Sequence, residues 1–237
     1  MPLSRKKKRT HKTNHLTSIL LVLPLLLFYE VGVLFADVMN GADFLTGALL
    51  RLTGLKGFLV IQAVMLLLAI GLAFYLRRSQ RFEMRHFIPV LLESGVYALT
   101  MGTLILFVMT DLLGIDPRLA AGAAKQIGLF DKLVLSVGAG VFEELVFRLV
   151  LLGGLSWLGT HALKLRGWVS LLIAFGISSV LFSLAHHIGP MGEPLRVGVF
   201  TYRVMAGLFF GALFQFRGFP IAVWTHALYD IYVMLLR

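Results

Sequence analysis

The chain contains no cysteine. That excludes disulfides, thiolate nucleophiles and cysteine-based zinc sites, and it leaves the redox compartment unread. Charge is scarce as well: 14% of the 237 residues are charged and 58% are hydrophobic. Acidic residues are the rarer sign, 12 against 22 Lys and Arg. A mean hydropathy of +0.87 means more apolar surface than a soluble domain of this size can hide, so the class is a polytopic membrane protein. The net charge of +10 comes from Lys and Arg clustered at the ends of apolar runs. Such clustering bears on topology and anionic lipid rather than on nucleic acid. No folded basic domain is left over, so no nucleic-acid partner is expected. Internal repeats and low-complexity stretches are absent too.

What remains is a series of apolar runs, and the expected fold is all-α: a transmembrane helical bundle of about seven spans, or eight with a short interfacial or re-entrant helix. A basic tail, residues 1–15, precedes a first span at 16–35. That run is too long for a usual signal-peptide core and lacks a small-x-small cleavage site, so it reads as a retained helix with a cytoplasmic N-terminus. A polar, Gly-punctuated connection is expected at 37–57, then a second span at 58–76. Arg77, Arg78, Arg81, Arg85 and His86 follow, a basic loop on the inner side after two crossings. Further spans are expected at 87–113, 132–158, 168–187, 197–214 and 219–236, with a short interfacial helix at 119–124, an external loop at 189–194 and the C-terminus outside. The organisation is a cytoplasmic tail (1–15), N-terminal transmembrane helices (16–128) and a C-terminal transmembrane core (129–237), placed in a cell membrane.

Within the fourth run stands Glu143-Glu144-Leu145-Val146-Phe147-Arg148. A charge inside a bilayer costs a few kcal/mol or more, so intramembrane ionisable groups are functional candidates. Glu144 and Arg148, at i and i+4, share a helix face and can pair. Glu143 lies about 100° around the helix and must face another element. Two further polar clusters occur in apolar runs: His186-His187, and His226 with Asp230 four residues on. Each needs polar partners, and the other clusters are the available ones. Glu30, Glu93 and Arg203 are single charges read as interhelical or interface contacts. Gly138, Gly140, Gly207 and Gly211 read as close-approach positions, and Trp168 and Trp224 as belt or packing groups.

These residues allow three readings. One is a packing network between helices. Another is water activation by a carboxylate with imidazole assistance, which suits peptide hydrolysis in a dry cavity. The third is a His-His-Glu zinc site. Other intramembrane protease signatures are missing: there is no His-Glu-x-x-His and no Gly-x-Gly-Asp. Gly176-Ile177-Ser178-Ser179 is a faint likeness to a serine turn inside an apolar helix.

The ordered set Glu143-Glu144-x-x-x-Arg148, Phe182-x-x-x-His186 and His226-x-x-x-Asp230 resembles the CPBP (CAAX protease and bacteriocin-processing, or Abi) family of glutamic intramembrane endopeptidases. The likeness covers about residues 129–237. It implies that Glu143 activates water with help from His186, that His226 and Asp230 serve the oxyanion, and that Glu144 and Arg148 support the site. It implies no cofactor and no metal. The implied partners are the lipid bilayer and a membrane-associated protein or peptide substrate. Eukaryotic CAAX enzymes carry Asn where Asp230 stands. An ionised Asp cannot donate to an oxyanion, so Asp230 is either protonated or orients His226. Other members of the family process or protect against bacteriocins, trim membrane anchors or act as scaffolds. The alternative function is a non-catalytic immunity or assembly factor with the same network. One geometric condition follows. At 1.5 Å per residue Glu143 and His186 lie roughly 25 Å from their inner helix ends and His226 only about 12 Å, so the last helix must start deep.

Overall fold

The computed structural model describes residues 14–36, 44–115, 127–188 and 194–236. Seven helical segments make up the architecture among these residues. They are α1 (His15–Gly32), α2 (Phe44–Arg77), α3 (Phe87–Phe107, extended by a wide turn over Val108–Leu112), α4 (129–161), α5 (Gly167–Ala185), α6 (Val197–Arg217) and α7 (Phe219–Leu236). No strand occurs among the described residues. By length and composition alone, four helices among the described residues can cross a bilayer: His15–Gly32, Met84–Leu112, Gly167–Ala185 and Val197–Arg217. Phe219–Leu235 is a shorter apolar helix.

Polarity runs opposite to that of a soluble protein. Leu67, Phe74, Leu92, Leu99 and Leu172 are more than 60% exposed, whereas Glu143, Glu144, Arg148, His226 and six serines are buried. An apolar exterior over a polar interior is what hydrocarbon solvent selects, and the chain is an integral membrane helical bundle.

Helix α7 runs through the middle. On one side its Ile221 and Ala222 join Met101, Ile105 and Met109 of α3, Phe147 of α4, Phe182 of α5 and Phe210 and Leu213 of α6. On the other, its Val223 and Ala227 meet Val22, Leu25 and Tyr29 of α1 and Val134, Val137 and Val141 of α4. Trp224 packs rather than sitting in a belt: its Nε1–H donates to the Leu21 carbonyl at 2.9 Å. Trp168 is 62% exposed. Of the expected close-approach glycines, Gly140 and Gly207 are the clearest. A Cβ on Gly140 would lie 2.7 Å from Ala227 Cβ and 2.8 Å from the Val223 carbonyl oxygen, and one on Gly207 would lie 2.9 Å from Ser179 Cα. Gly140→Ala should therefore push α4 off α7. It should cost about 1–3 kcal/mol, the usual range for overpacking, read as a lowered unfolding midpoint in detergent; an unchanged midpoint would refute the close approach.

Two segments differ from the sequence expectation. The polar connection expected over 37–57 is helical from Phe44, with a break at Gly54, where φ is +64° and ψ 179°. Glycine reaches that region without the Cβ clash other residues meet, so Gly54 interrupts the helix instead of ending it. The α4 run is not a regular α-helix: Ala139–Glu143 and Leu145–Leu152 are π-helical. Wide turns of this kind occur mostly as single-turn bulges within α-helices and are frequent at functional sites. The interfacial helix expected at 119–124 and most of the basic tail and 189–194 loop lie outside the described residues.

The start of α1 is tied to the basic loop. Asn14 Oδ1 caps the helix by accepting from Thr17 N at 2.8 Å, and its Nδ2 donates to the Arg81 carbonyl at 2.8 Å. Gln80 Oε1 accepts from Leu16 N at 2.9 Å. In that loop Arg85, then His86, hold the Glu83 carboxyl below the usual carboxylate range through side-chain hydrogen bonds. Glu93 is an interhelical pair as expected: its two oxygens accept from Arg217 Nε and Nη2 at 2.5 and 2.6 Å, and Tyr97 donates to it at 2.9 Å. The starts of α1, α3 and α7 thus share one end of the bundle.

Candidate active site

The π-helical middle of α4 presents its polar residues inward, towards α5, α6 and α7. Glu144 is fully buried and Arg148 1% exposed. They pair as the i, i+4 spacing requires, Arg148 Nε to Glu144 Oε2 at 3.2 Å. Three further contacts hold the guanidinium. It lies 4.4 Å above the Phe182 ring and 5.3 Å above the Phe210 ring, and its Nη2 donates to the Gly207 carbonyl at 3.3 Å. Cation–π contact is worth more when desolvated, which suits a cation this deep. The close approach of α5 and α6 at Gly207 and Ser179 brings both rings over the charge.

Glu144 has a second duty that the helical spacing could not reveal. Its Oε1 accepts from His226 Nδ1 at 2.7 Å, across 82 residues. A carboxylate partner accepts from Nδ1, which fixes the orientation of the imidazole. Phe210 stacks on the same ring, with centroids 4.2 Å apart and planes 15° apart. Arg148, Glu144 and His226 form a buried chain from α4 to α7.

His226 Nε2 points the other way. It lies 3.9 Å from Glu143 Oε2 and 3.6 Å from Asp230 Oδ2. Glu143 Oε2 is in turn 3.5 Å from His186 Nε2. The His186 ring is anchored through Nδ1, which donates to the Phe182 carbonyl at 2.8 Å, and by an edge contact with the Phe182 ring. That leaves Nε2 of His186 facing Glu143. All three of these separations exceed a direct hydrogen bond of about 2.7–3.2 Å. The four groups converge on one point without saturating each other. His186 and Asp230 are each 22% exposed as side chains, while Glu143 and His226 are nearly enclosed.

Glu143, Glu144, Arg148, His186, His226 and Asp230, the site residues expected from sequence, are thus brought together. His187 is not part of this cluster; its ring packs near Phe200. The depth mismatch between His226 and the other groups is closed: α7 begins one residue after Gly218, whose φ of +99° makes the tight turn out of α6. Ser178 is no nucleophile in this arrangement, since its hydroxyl donates to the Phe147 carbonyl at 2.5 Å. Among the described residues no three His, Asp or Glu side chains are grouped closely enough to hold a metal ion. What sequence reasoning missed was the Glu144–His226 bond and the part taken by Phe182 and Phe210. Phe182 was visible in its motif; Phe210 had no signal.

Residues 125–232 match the family model described as type II CAAX prenyl endopeptidase Rce1-like. This region is similar to that family of proteases. No curated protein and no solved structure matches the chain significantly. The Rce1-like region takes in every residue of the cluster, from Glu143 to Asp230. It also includes Gly140, Gly207 and Phe210, which set the helix spacing around the cluster. Helices α1 to α3 lie outside it.

Proposed function

We propose that this protein is a glutamic-type intramembrane endopeptidase that hydrolyses a peptide bond of a membrane-associated protein or peptide, with Glu143 as the base. The observation that carries this reading is the convergence of Glu143, His186 and His226 Nε2 at 3.5–3.9 Å, with His226 held from behind by Glu144. Water between Glu143 and His186 gives its proton to the Glu143 carboxylate, and its oxygen attacks the scissile carbonyl carbon. The carbonyl electron pair moves onto oxygen. His226, protonated at both nitrogens, donates through Nδ1 to Glu144 and through Nε2 to the oxyanion. When the intermediate collapses, the C–N bond breaks and the proton held by Glu143 passes to the leaving nitrogen, leaving a carboxylic acid and an amine. Asp230 faces His226 Nε2 and acts by orienting the ring, the second of its two possible roles. The chemistry resides in residues 129–237, and the helices of 16–128 pack around it. The site opens in a bacterial inner membrane with the N-terminus cytoplasmic.

Purified protein in detergent with a membrane-anchored peptide, followed by mass spectrometry of the products, tests the assignment. His186→Ala and His226→Ala should each lower kcat/KM by roughly 10²- to 10⁴-fold, the usual range for an acid–base group. Unchanged cleavage in both variants would sink the proposal and favour a packing network in an immunity or assembly factor. Loss of cleavage with a chelator, restored by zinc, would favour the zinc-dependent hydrolase.

A further inference from the structure

One intramembrane charge has no part in the chemistry above. Arg203 lies two turns into α6, half-buried. Residues 203, 207 and 210 follow at i, i+4 and i+7 and form one helix face. Gly207 and Phe210 of that face belong to the site, through the Arg148 hydrogen bond and the His226 stacking. Helices α6 and α7 are antiparallel across the Gly218 turn, and the Tyr202 and Tyr229 hydroxyls are hydrogen-bonded across them. In antiparallel neighbours the next residue on each helix turns to the same side of the interface. After Tyr202 and Tyr229 those residues are Arg203 and Asp230. Asp230 is within electrostatic range of Arg203 as well as of His226, Glu143 and His186. The charge balance agrees. The cluster holds three carboxylates, Glu143, Glu144 and Asp230, and Arg148 is taken by Glu144. A buried carboxylate beside another is costly unless a cation offsets it.

We propose that Arg203 is a positioning residue for the hydrolytic site: it carries the counter-charge of Asp230 and so fixes the carboxylate that orients His226 Nε2. The inference deepens the endopeptidase reading and rests on it for its kinetic consequence. Arg203 does not touch the scissile bond; it acts through Asp230 on His226.

A double-mutant cycle decides the matter, read in two ways. In cleavage, Arg203→Gln should lower kcat by roughly 10- to 100-fold with little change in KM, the scale expected when a reacting group is misplaced by about an ångström. Arg203→Lys, which keeps the charge, should recover most of that loss. In an Asp230→Asn background the same Arg203→Gln change should alter kcat by no more than about twofold, because the partner is already gone. In thermal unfolding in detergent, the two single variants should be non-additive, with Asp230→Asn offsetting part of the midpoint drop caused by Arg203→Gln. That second readout needs no activity. If cleavage survives Glu143→Gln, the endopeptidase reading fails while the unfolding cycle still judges the pair. Equal Arg203→Gln effects in both backgrounds, additive midpoints, or a loss confined to KM would overturn the proposal; the last would make Arg203 a substrate-binding group.

Discussion

Replacing Glu143 by Gln is expected to remove hydrolysis while leaving the fold in place. The substitution keeps volume and shape in a position that is 6% exposed. The amide can still occupy the space between His186 Nε2 and His226 Nε2, 3.5 and 3.9 Å from the present oxygen. What it cannot do is take a proton from water and hand it to a leaving nitrogen. The turnover number should fall by at least the 10²- to 10⁴-fold typical of a missing general base, and unfolding stability should move by less than about 1 kcal/mol, since Gln keeps the volume and leaves no buried cation without its carboxylate. Mass spectrometry of peptide products and a thermal melt on the same preparation measure both. Wild-type rates in Glu143→Gln would remove Glu143 from the mechanism.

Glu144→Gln is expected to behave differently, although the residue is adjacent and chemically identical. Glu144 is the common partner of Arg148 and His226, at 3.2 and 2.7 Å. Its removal leaves a guanidinium that is 1% exposed without its carboxylate. Breaking a buried pair by deleting one partner costs about 3–5 kcal/mol, so the unfolding midpoint should drop sharply and expression with it. Activity should fall too, because an amide does not hold the imidazole as a carboxylate does. A rescue separates the two duties. Adding Arg148→Met removes the orphaned cation and should return much of the lost stability, since apolar replacement of a buried pair is often neutral or better. It should not return cleavage, because the His226 Nδ1 partner is still missing. Equal melting points for Glu143→Gln and Glu144→Gln would refute this division of labour.

The membrane class, the helical composition and the identity of the polar cluster were legible in the sequence. Apolar runs of bilayer length leave a chain few alternatives once water is gone, because backbone groups must be satisfied within helices. Charges in such runs must find one another. The Glu144–Arg148 pair was legible for the same local reason, since i and i+4 share a face whether the turn is regular or wide. Glu93 had to find a partner, but nothing local named Arg217, which lies 124 residues away. The roles of individual atoms were decided only in three dimensions. Glu144 reaches His226 because Gly140 lets α4 sit directly against Val223 and Ala227 of α7. Phe182 and Phe210 enclose Arg148 because α5 and α6 meet closely at Ser179 and Gly207. The π-helical turns of α4 and the helix from Phe44 through Gly54 also escaped periodicity, which counts residues but not the backbone path they take. Sequence alone determined which groups a bilayer would force together. Helix spacing, set by glycines on separate elements, decided that Glu143 faces two imidazoles while Glu144 holds one of them in place.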